Sequence, residues 1–106
     1  MSKTELTVLM ACRNGERVLP RTLEGYRRLE APPVGWKLLI VDNGSSDATS
    51  EIIDSFTRDL PIEILREPVP GKNKALNSGI PAIEGRLAVL TDDDAIPHPA
   101  FLAAWR

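Results

Sequence analysis

Apolar residues run almost unbroken from Leu6 to Ala11, interrupted only by Thr7. A run that short, with polar residues on both sides, predicts a buried strand. From Arg17 to Leu29 the pattern changes: Leu19, Leu23, Tyr26 and Leu29 recur at helical spacing, and Pro20 fits near the helix start. The break at Glu30-Ala-Pro-Pro-Val-Gly35 precedes a second apolar run, Lys37 to Val41. Ser46 or Asp47 is placed to cap a second helix carrying Ile52, Ile53, Phe56 and Leu60, and Pro61 stops it. Ile62 to Leu65 predicts a short third strand near a sheet edge. A third helical pattern holds Ala75, Leu76, Gly79, Ile80 and Ile83 on one side, with Pro81 expected to kink or shorten it and Gly85 to end it. Leu87 to Leu90 predicts a fourth buried strand. Pro97 and Pro99 predict the start of a last helix, with Phe101, Leu102 and Trp105 inward.

Strand and helix therefore alternate throughout. That order implies an α/β fold: a mainly parallel sheet covered by helices on both faces, three layers in all. In such sheets ligands bind at the carboxyl ends of the strands, where strand order reverses. That edge carries Arg13-Asn14, Asp42-Asn43-Gly44 and Asp92-Asp93-Asp94.

The acidic run is the strongest chemical signal. Three adjacent carboxylates repel one another unless solvent, donors or a cation compensate. At a strand end they are suited to hold a divalent cation, and through it a phosphate; a solvated acidic turn is the plainer alternative. Asp42 is placed to accept hydrogen bonds from a nucleobase imide or a ribose hydroxyl, or simply to shape a turn. Gly71-Lys72-Asn73-Lys74 opens the third helix, where ammonium groups and free amides suit an anion. The spacings of a Walker loop and of a dinucleotide fingerprint are both absent. His98, between two prolines, reads as a loop residue, and Cys12 as a buried structural thiol.

Composition narrows the class. With 106 residues the chain is at most one domain, and 42% hydrophobic with 26% charged residues is ordinary for a globular protein. A net charge of −2 argues against a nucleic-acid partner. The single cysteine excludes an intrachain disulfide and fits a reducing compartment, so a cytoplasmic setting is expected. Membrane association of a longer parent chain is left open. The end at Ala103-Ala-Trp-Arg106, inside a predicted helix, suggests the N-terminal part of something longer.

Taken in order, these segments resemble the family 2 glycosyltransferases of the GT-A, Rossmann-like fold. The resemblance rests on Thr7-Val-Leu-Met-Ala-Cys-Arg-Asn14, Leu39-Ile-Val-Asp-Asn-Gly-Ser-Ser-Asp-Ala-Thr49, Gly71-Lys-Asn-Lys-Ala-Leu-Asn-Ser-Gly79 and the DxD-like Leu90-Thr-Asp-Asp-Asp-Ala95. It implies a nucleotide-sugar donor, UDP-linked by preference, transferred with inversion to the hydroxyl of an unidentified glycan, lipid or other acceptor. Ala11 and Arg13 would line the base pocket, and Asp42 would read the base. Lys72 or Lys74 would lie near the nucleotide, Asp92 and Asp93 would contact it with Asp92 on the ribose, and Asp94 would coordinate Mg²⁺ or Mn²⁺. The general base is expected beyond Arg106, together with the acceptor-binding half. Without them the chain is expected to be inactive alone and prone to self-association. Cys12 and Arg13 depart from the family's usual Thr or Ser and aromatic residue, and Pro81 is unusual in its helix.

Three other readings compete. A non-catalytic nucleotide-sugar-binding module, or an inactive relative, would carry the same donor residues. A nucleotidyltransferase wants a Gly-x-Gly-x-Arg loop after the first strand, which is absent. A receiver-type module wants its acidic pair after the first strand, whereas here the acidic run follows the fourth.

Overall fold

The computed structural model describes residues 4–30, 32 and 34–102. Its core is a parallel sheet of β1 (Thr4–Cys12), β2 (Gly35–Asp42), β3 (Ile62–Arg66) and β4 (Leu87–Asp92), in spatial order β3-β2-β1-β4. Helices α1 (Leu19–Arg27), α2 (Thr49–Ser55) and α3 (Lys72–Gly79) connect successive strands.

The strand order dictates the layers. The chain steps from β1 to β2 to β3 in one direction, then returns past β1 to place β4 on its far side. Parallel crossovers are right-handed, so reversing direction moves the connecting helix to the opposite face. The core divides accordingly. On one face Leu6, Val8, Met10, Leu38 and Ile40 pack with Leu19, Leu23 and Tyr26 of α1, Ile53 of α2, and Leu60. On the other, Leu9, Leu39 and Val41 pack with Ala75 of α3. Gly79 lets α3 lie close, since a Cβ there would come 2.6 Å from Leu9 Cδ1. At the amino ends of the strands, the ammonium of Lys37 bonds Glu63 Oε1 at 2.7 Å, Glu84 Oε1 at 2.6 Å and the Ala82 carbonyl at 2.8 Å. All its protons are thereby used, which is what a largely buried ammonium requires.

The elements agree with the hydrophobic pattern, with four differences. α2 ends at Ser55, and the segment to Leu60 continues as turns that still bury Leu60. Pro81 shortens α3 as expected, through a short 3₁₀ turn, Ile80–Ala82, because proline has no N–H to continue the helical ladder, but the helix therefore ends at Gly79 and not at the predicted stop, Gly85. That turn leaves Ile80 53% exposed, so it does not share the buried side of the helix with Ala75 and Gly79. β4 is not buried on both faces: Leu87 and Val89 join the core of the α1–α2 face, whereas Leu90 is 59% exposed. Its register with β1 turns Ala88, Leu90 and Asp92 toward the α3 face, but α3 covers β1 and β2 and stops short of the edge strand. Last, residues 99–102 form turns, not the start of a helix, although Leu102 is buried and Phe101 packs on the core. Trp105 lies outside the described residues.

Candidate functional site

The switch point falls between β1 and β4, whose carboxyl ends, Ala11-Cys12 and Asp92, are hydrogen-bonded neighbours. A cavity of about 450 Å³ opens there, lined by Ala11, Cys12, Arg13, Asn43, Gly71, Lys72, Asp92, Asp93 and Asp94. Side-chain parity distributes these residues. Asp92 follows Leu90 onto the α3 face, where Lys72 at the first position of α3 reaches it: Nζ lies 2.5 Å from Asp92 Oδ1. This bond, then the charges of Asp92, Asp93 and Asp94, raise the Lys72 pKa, so the ammonium is fully charged at neutral pH. Asp93 turns back toward α1, where its carbonyl accepts from Thr22 Oγ1 at 2.7 Å. A Cβ on Gly15 would stand 3.2 Å from Asp93 Oδ2, so the glycine makes room for that carboxylate. Burial, followed by the charge of Asp94, raises the Asp93 pKa. Asp94 is exposed at the mouth.

The loops around the cavity are tied to one another. Asn14, with φ of 49°, accepts from the Ser46 amide at 2.8 Å and donates its own N–H to Ser45 Oγ at 2.9 Å. Gly15 N–H donates to the buried Thr49 Oγ1 at 2.9 Å. Asn43 is 4% exposed and holds the third loop: its amide donates to the carbonyls of Glu67 and Val69 at 2.9 and 2.8 Å and its Oδ1 accepts from Gly71 N–H at 3.0 Å. Gly71, at φ 132°, is the residue from which α3 and Lys72 start. Asn43 thus sets where Lys72 enters the cavity. In sequence it reads only as part of an Asp-Asn-Gly turn, so its wall position and its grip on a loop more than twenty residues away carry no local signal.

Of the nucleotide-contacting residues expected from sequence, Ala11, Arg13, Lys72, Asp92 and Asp93 line the cavity, as does the expected metal ligand Asp94. Lys74 and Asp42 are not brought to the lining. Lys74 is exposed, and its charge acts on Glu67 and helps lower that carboxyl's pKa, behind the bonds from Ser78 and the Val69 amide. Asp42 points to the α2 face. Its Oδ1 accepts from Ser45 N–H at 3.1 Å, and its Oδ2 lies 3.2 Å from Ser50 Oγ and 3.4 Å from the Arg66 guanidinium. Cys12 lies in the wall but is 3% exposed, and burial plus the charges of Asp42, Asp93 and Asp47 push its thiol up to about 12. It is a neutral packing group at physiological pH, in line with its reading as a structural thiol.

Among the described residues, no three His, Cys, Asp or Glu side chains are grouped so as to hold a metal ion by themselves. The donor chemistry fits a divalent cation in another way. Carboxylate oxygens at the cavity mouth are hard ligands of the kind magnesium and manganese prefer, and a partial protein shell leaves coordination positions for phosphate and water.

The model of the family described as glycosyl transferase family 2 matches residues 7–104. The chain belongs to this family. Its sheet and crossover order are the GT-A fold: the chain superposes on S. aureus TarS 1-349 in complex with UDP with a TM-score of 0.85 at 19% identity, over 92% of this chain and 29% of that one. On the mannosyltransferase PcManGT from Pyrobaculum calidifontis, in complex with GDP-Man and Mn²⁺, the TM-score is 0.81 at 24% identity, over 92% and 30%. In sequence it is 29% identical over 94 residues to a beta-monoglucosyldiacylglycerol synthase of Trichormus variabilis, covering 85% of this chain and 20% of the relative. The chain thus spans between a fifth and a third of the length of these relatives. No described helix is long and apolar enough to cross a membrane.

Proposed function

We propose that these residues form the donor half of an inverting, metal-assisted glycosyltransferase, and that the cavity at the β1–β4 switch point takes the nucleoside diphosphate of a UDP-sugar. The single observation that carries the reading is the juxtaposition of Lys72 with Asp92, Asp93 and Asp94 around one cavity. An ammonium and a carboxylate run side by side suit a ligand that brings both a diphosphate and a cation. Both solved neighbours hold nucleotides, one with Mn²⁺, which supports this reading.

In this arrangement Lys72 and the first turn of α3 face the diphosphate, with the positive end of the helix favouring the anion. Asp92 takes the ribose hydroxyls and Asp94 the cation, with Asp93 between them. Ala11 and Arg13 flank the base. When bound, the cation supplies Lewis-acid stabilisation of the departing diphosphate. In transfer, the acceptor oxygen bonds to the anomeric carbon as the bond from that carbon to the diphosphate oxygen breaks. The electron pair leaves with the nucleoside diphosphate, and the acceptor proton goes to a general base that we place outside these residues. UDP is expected to bind more tightly with Mn²⁺ or Mg²⁺ than with a chelator; calorimetric curves that coincide would refute the reading.

Base choice is assigned to Asp42. The Asp42 side chain is 4% exposed on the α2 face, outside the cavity lining, with Oδ2 held by Ser50 at 3.2 Å and the exposed Arg66 at 3.4 Å, so reading the N3–H of uracil requires the base to extend from the cavity to that face and displace these contacts. Asp42→Asn keeps an acceptor for Ser45 N–H but offers a donor where the base also donates. It is expected to weaken uridine nucleotides about tenfold or more, the scale of a lost hydrogen bond to a charged group, and to spare inorganic pyrophosphate. Equal losses for both ligands would make Asp42 a loop-shaping residue only.

A panel of nucleotide sugars and acceptors incubated with the 106-residue chain is expected to give no glycosylated product by mass spectrometry, although donor binding is retained. The non-catalytic binding module is the second reading, favoured by the same donor-side cavity. It gains ground if a longer chain carrying the acceptor side also fails to transfer.

A further inference from the structure

We propose that Lys72 is an exchangeable counter-cation of the acidic run: without ligand it occupies Asp92, and a diphosphate draws it away, freeing that carboxylate for the ribose as a divalent cation at Asp94 takes over neutralisation of the run. The inference rests on the donor-site reading and adds to it a coupling between two ligands through one side chain.

The geometry supports a bond built to exchange. Lys72 Nζ stands 2.5 Å from Asp92 Oδ1, yet the two side chains are 62% and 57% exposed. Ion pairs that open to solvent are weak and are broken at little cost. Lys72 sits at the first position of α3, at the end of a flexible stem whose base is fixed through Gly71 by Asn43. Only its head needs to move. Asp92, by contrast, is fixed by the β4 ladder beside Ala11. Near the acidic run the ammonium offsets the mutual repulsion of Asp92, Asp93 and Asp94, a role a divalent cation also fills. The two cations therefore compete when no phosphate is present. A bound diphosphate offers Lys72 another partner, and the competition is relieved. Linkage makes the effect reciprocal: what the nucleotide does for metal affinity, the metal does for nucleotide affinity. Lys74, two residues along the same helix, carries the same charge but does not line the cavity, so it serves as the control for charge alone.

The test measures Mn²⁺ binding without nucleotide, by electron paramagnetic resonance, and UDP binding in chelator, by calorimetry. The proteins are wild type, Lys72→Met and Lys74→Met. Lys72→Met is expected to bind free Mn²⁺ about two- to fivefold more tightly, the range of an exposed ion pair, while binding UDP in chelator more weakly. Lys74→Met is expected to behave as wild type in the Mn²⁺ arm. Opposite signs in one variant are the signature, because a damaged fold would weaken both ligands. Lys72→Met with unchanged or weaker Mn²⁺ binding, or Lys74→Met with the same gain, would overturn the exchange. If wild type still binds UDP more tightly with Mn²⁺ in that case, the donor-site reading survives. If wild type shows no metal-dependent UDP binding at all, both fall.

Discussion

Asp94→Asn is expected to abolish most of the gain that Mn²⁺ brings to UDP binding, while leaving binding in chelator close to wild type. The substitution preserves size and removes one charge from an exposed side chain at the mouth of the cavity. It relieves repulsion within the acidic run, so the fold is not endangered; burial and the neighbouring Asp94 charge are what raise the Asp93 carboxyl. An amide is a far poorer ligand for a hard cation than a carboxylate. The loss in metal-dependent affinity should be at least about tenfold, since even outer-shell partners of a metal commonly contribute that much. Relief of repulsion gives the chelator arm its sign: with one negative charge fewer, the diphosphate is repelled slightly less, so UDP alone binds as well as before or better. A titration in which Asp94→Asn responds to Mn²⁺ as wild type does would move the cation to Asp92 or Asp93. Comparing Asp92→Asn with Asp94→Asn then separates the ribose contact from the metal contact.

How far the chain can be read from its residues differs between fold and site. The alternation of runs such as Leu6–Ala11 and Lys37–Val41 with helical stripes such as Leu19, Leu23 and Tyr26 is legible because burial on a parallel sheet leaves little freedom in hydrophobic pattern. The exposed face of β4 is not legible in this way. Leu90 looks like Leu39 in sequence, and only the position of α3 over β1 and β2 separates an uncovered leucine from a buried one. The acidic run and the Lys72 segment stand out because like charges and a basic helix start demand compensation. Which of Asp42 and Asn43 faces the cavity depends on parity: neighbouring residues leave a strand on opposite faces, and the face that carries α3 is a property of the reversed crossover. Lys72 and Lys74 part for a helical reason, since two residues apart they lie about 200° round the axis of α3. Asn43 illustrates the remaining limit, since its partners at Glu67, Val69 and Gly71 come together only when β2 and β3 pair.

The largest stability effect is expected far from the cavity, at Gly85. The chain must cross from the 3₁₀ turn to the start of β4 over the backbone of β1, and Gly85 makes that crossing at φ 88°. A Cβ there would stand 2.3 Å from the Glu5 carbonyl carbon and 2.4 Å from its oxygen. The crossing cannot shift to relieve the overlap, because both flanks are tied down. Thr7 Oγ1 donates to the Glu84 carbonyl at 2.8 Å and accepts from the Glu84 amide at 2.9 Å, and Arg86 N–H donates to the Glu5 carbonyl at 3.0 Å. Gly85→Ala therefore adds a left-handed conformation that costs about 1–2 kcal/mol in an L-residue to an overlap that costs about 1–3 kcal/mol. With about 4–8 °C lost per kcal/mol in a domain near this size, Tm should fall by on the order of 10–40 °C. The site should not share in the damage. Gly85 precedes the first residue of β4 and Asp92 is the last, so the length of the strand separates them. The fraction that remains folded below its Tm is expected to bind UDP and Mn²⁺ as wild type does. Thermal unfolding followed by circular dichroism, with a UDP titration at low temperature, checks both parts. A Tm within a few degrees of wild type would mean that Glu5 and the β1 end yield to the added methyl, and that the bonds flanking Gly85 are too weak to hold the crossing in place.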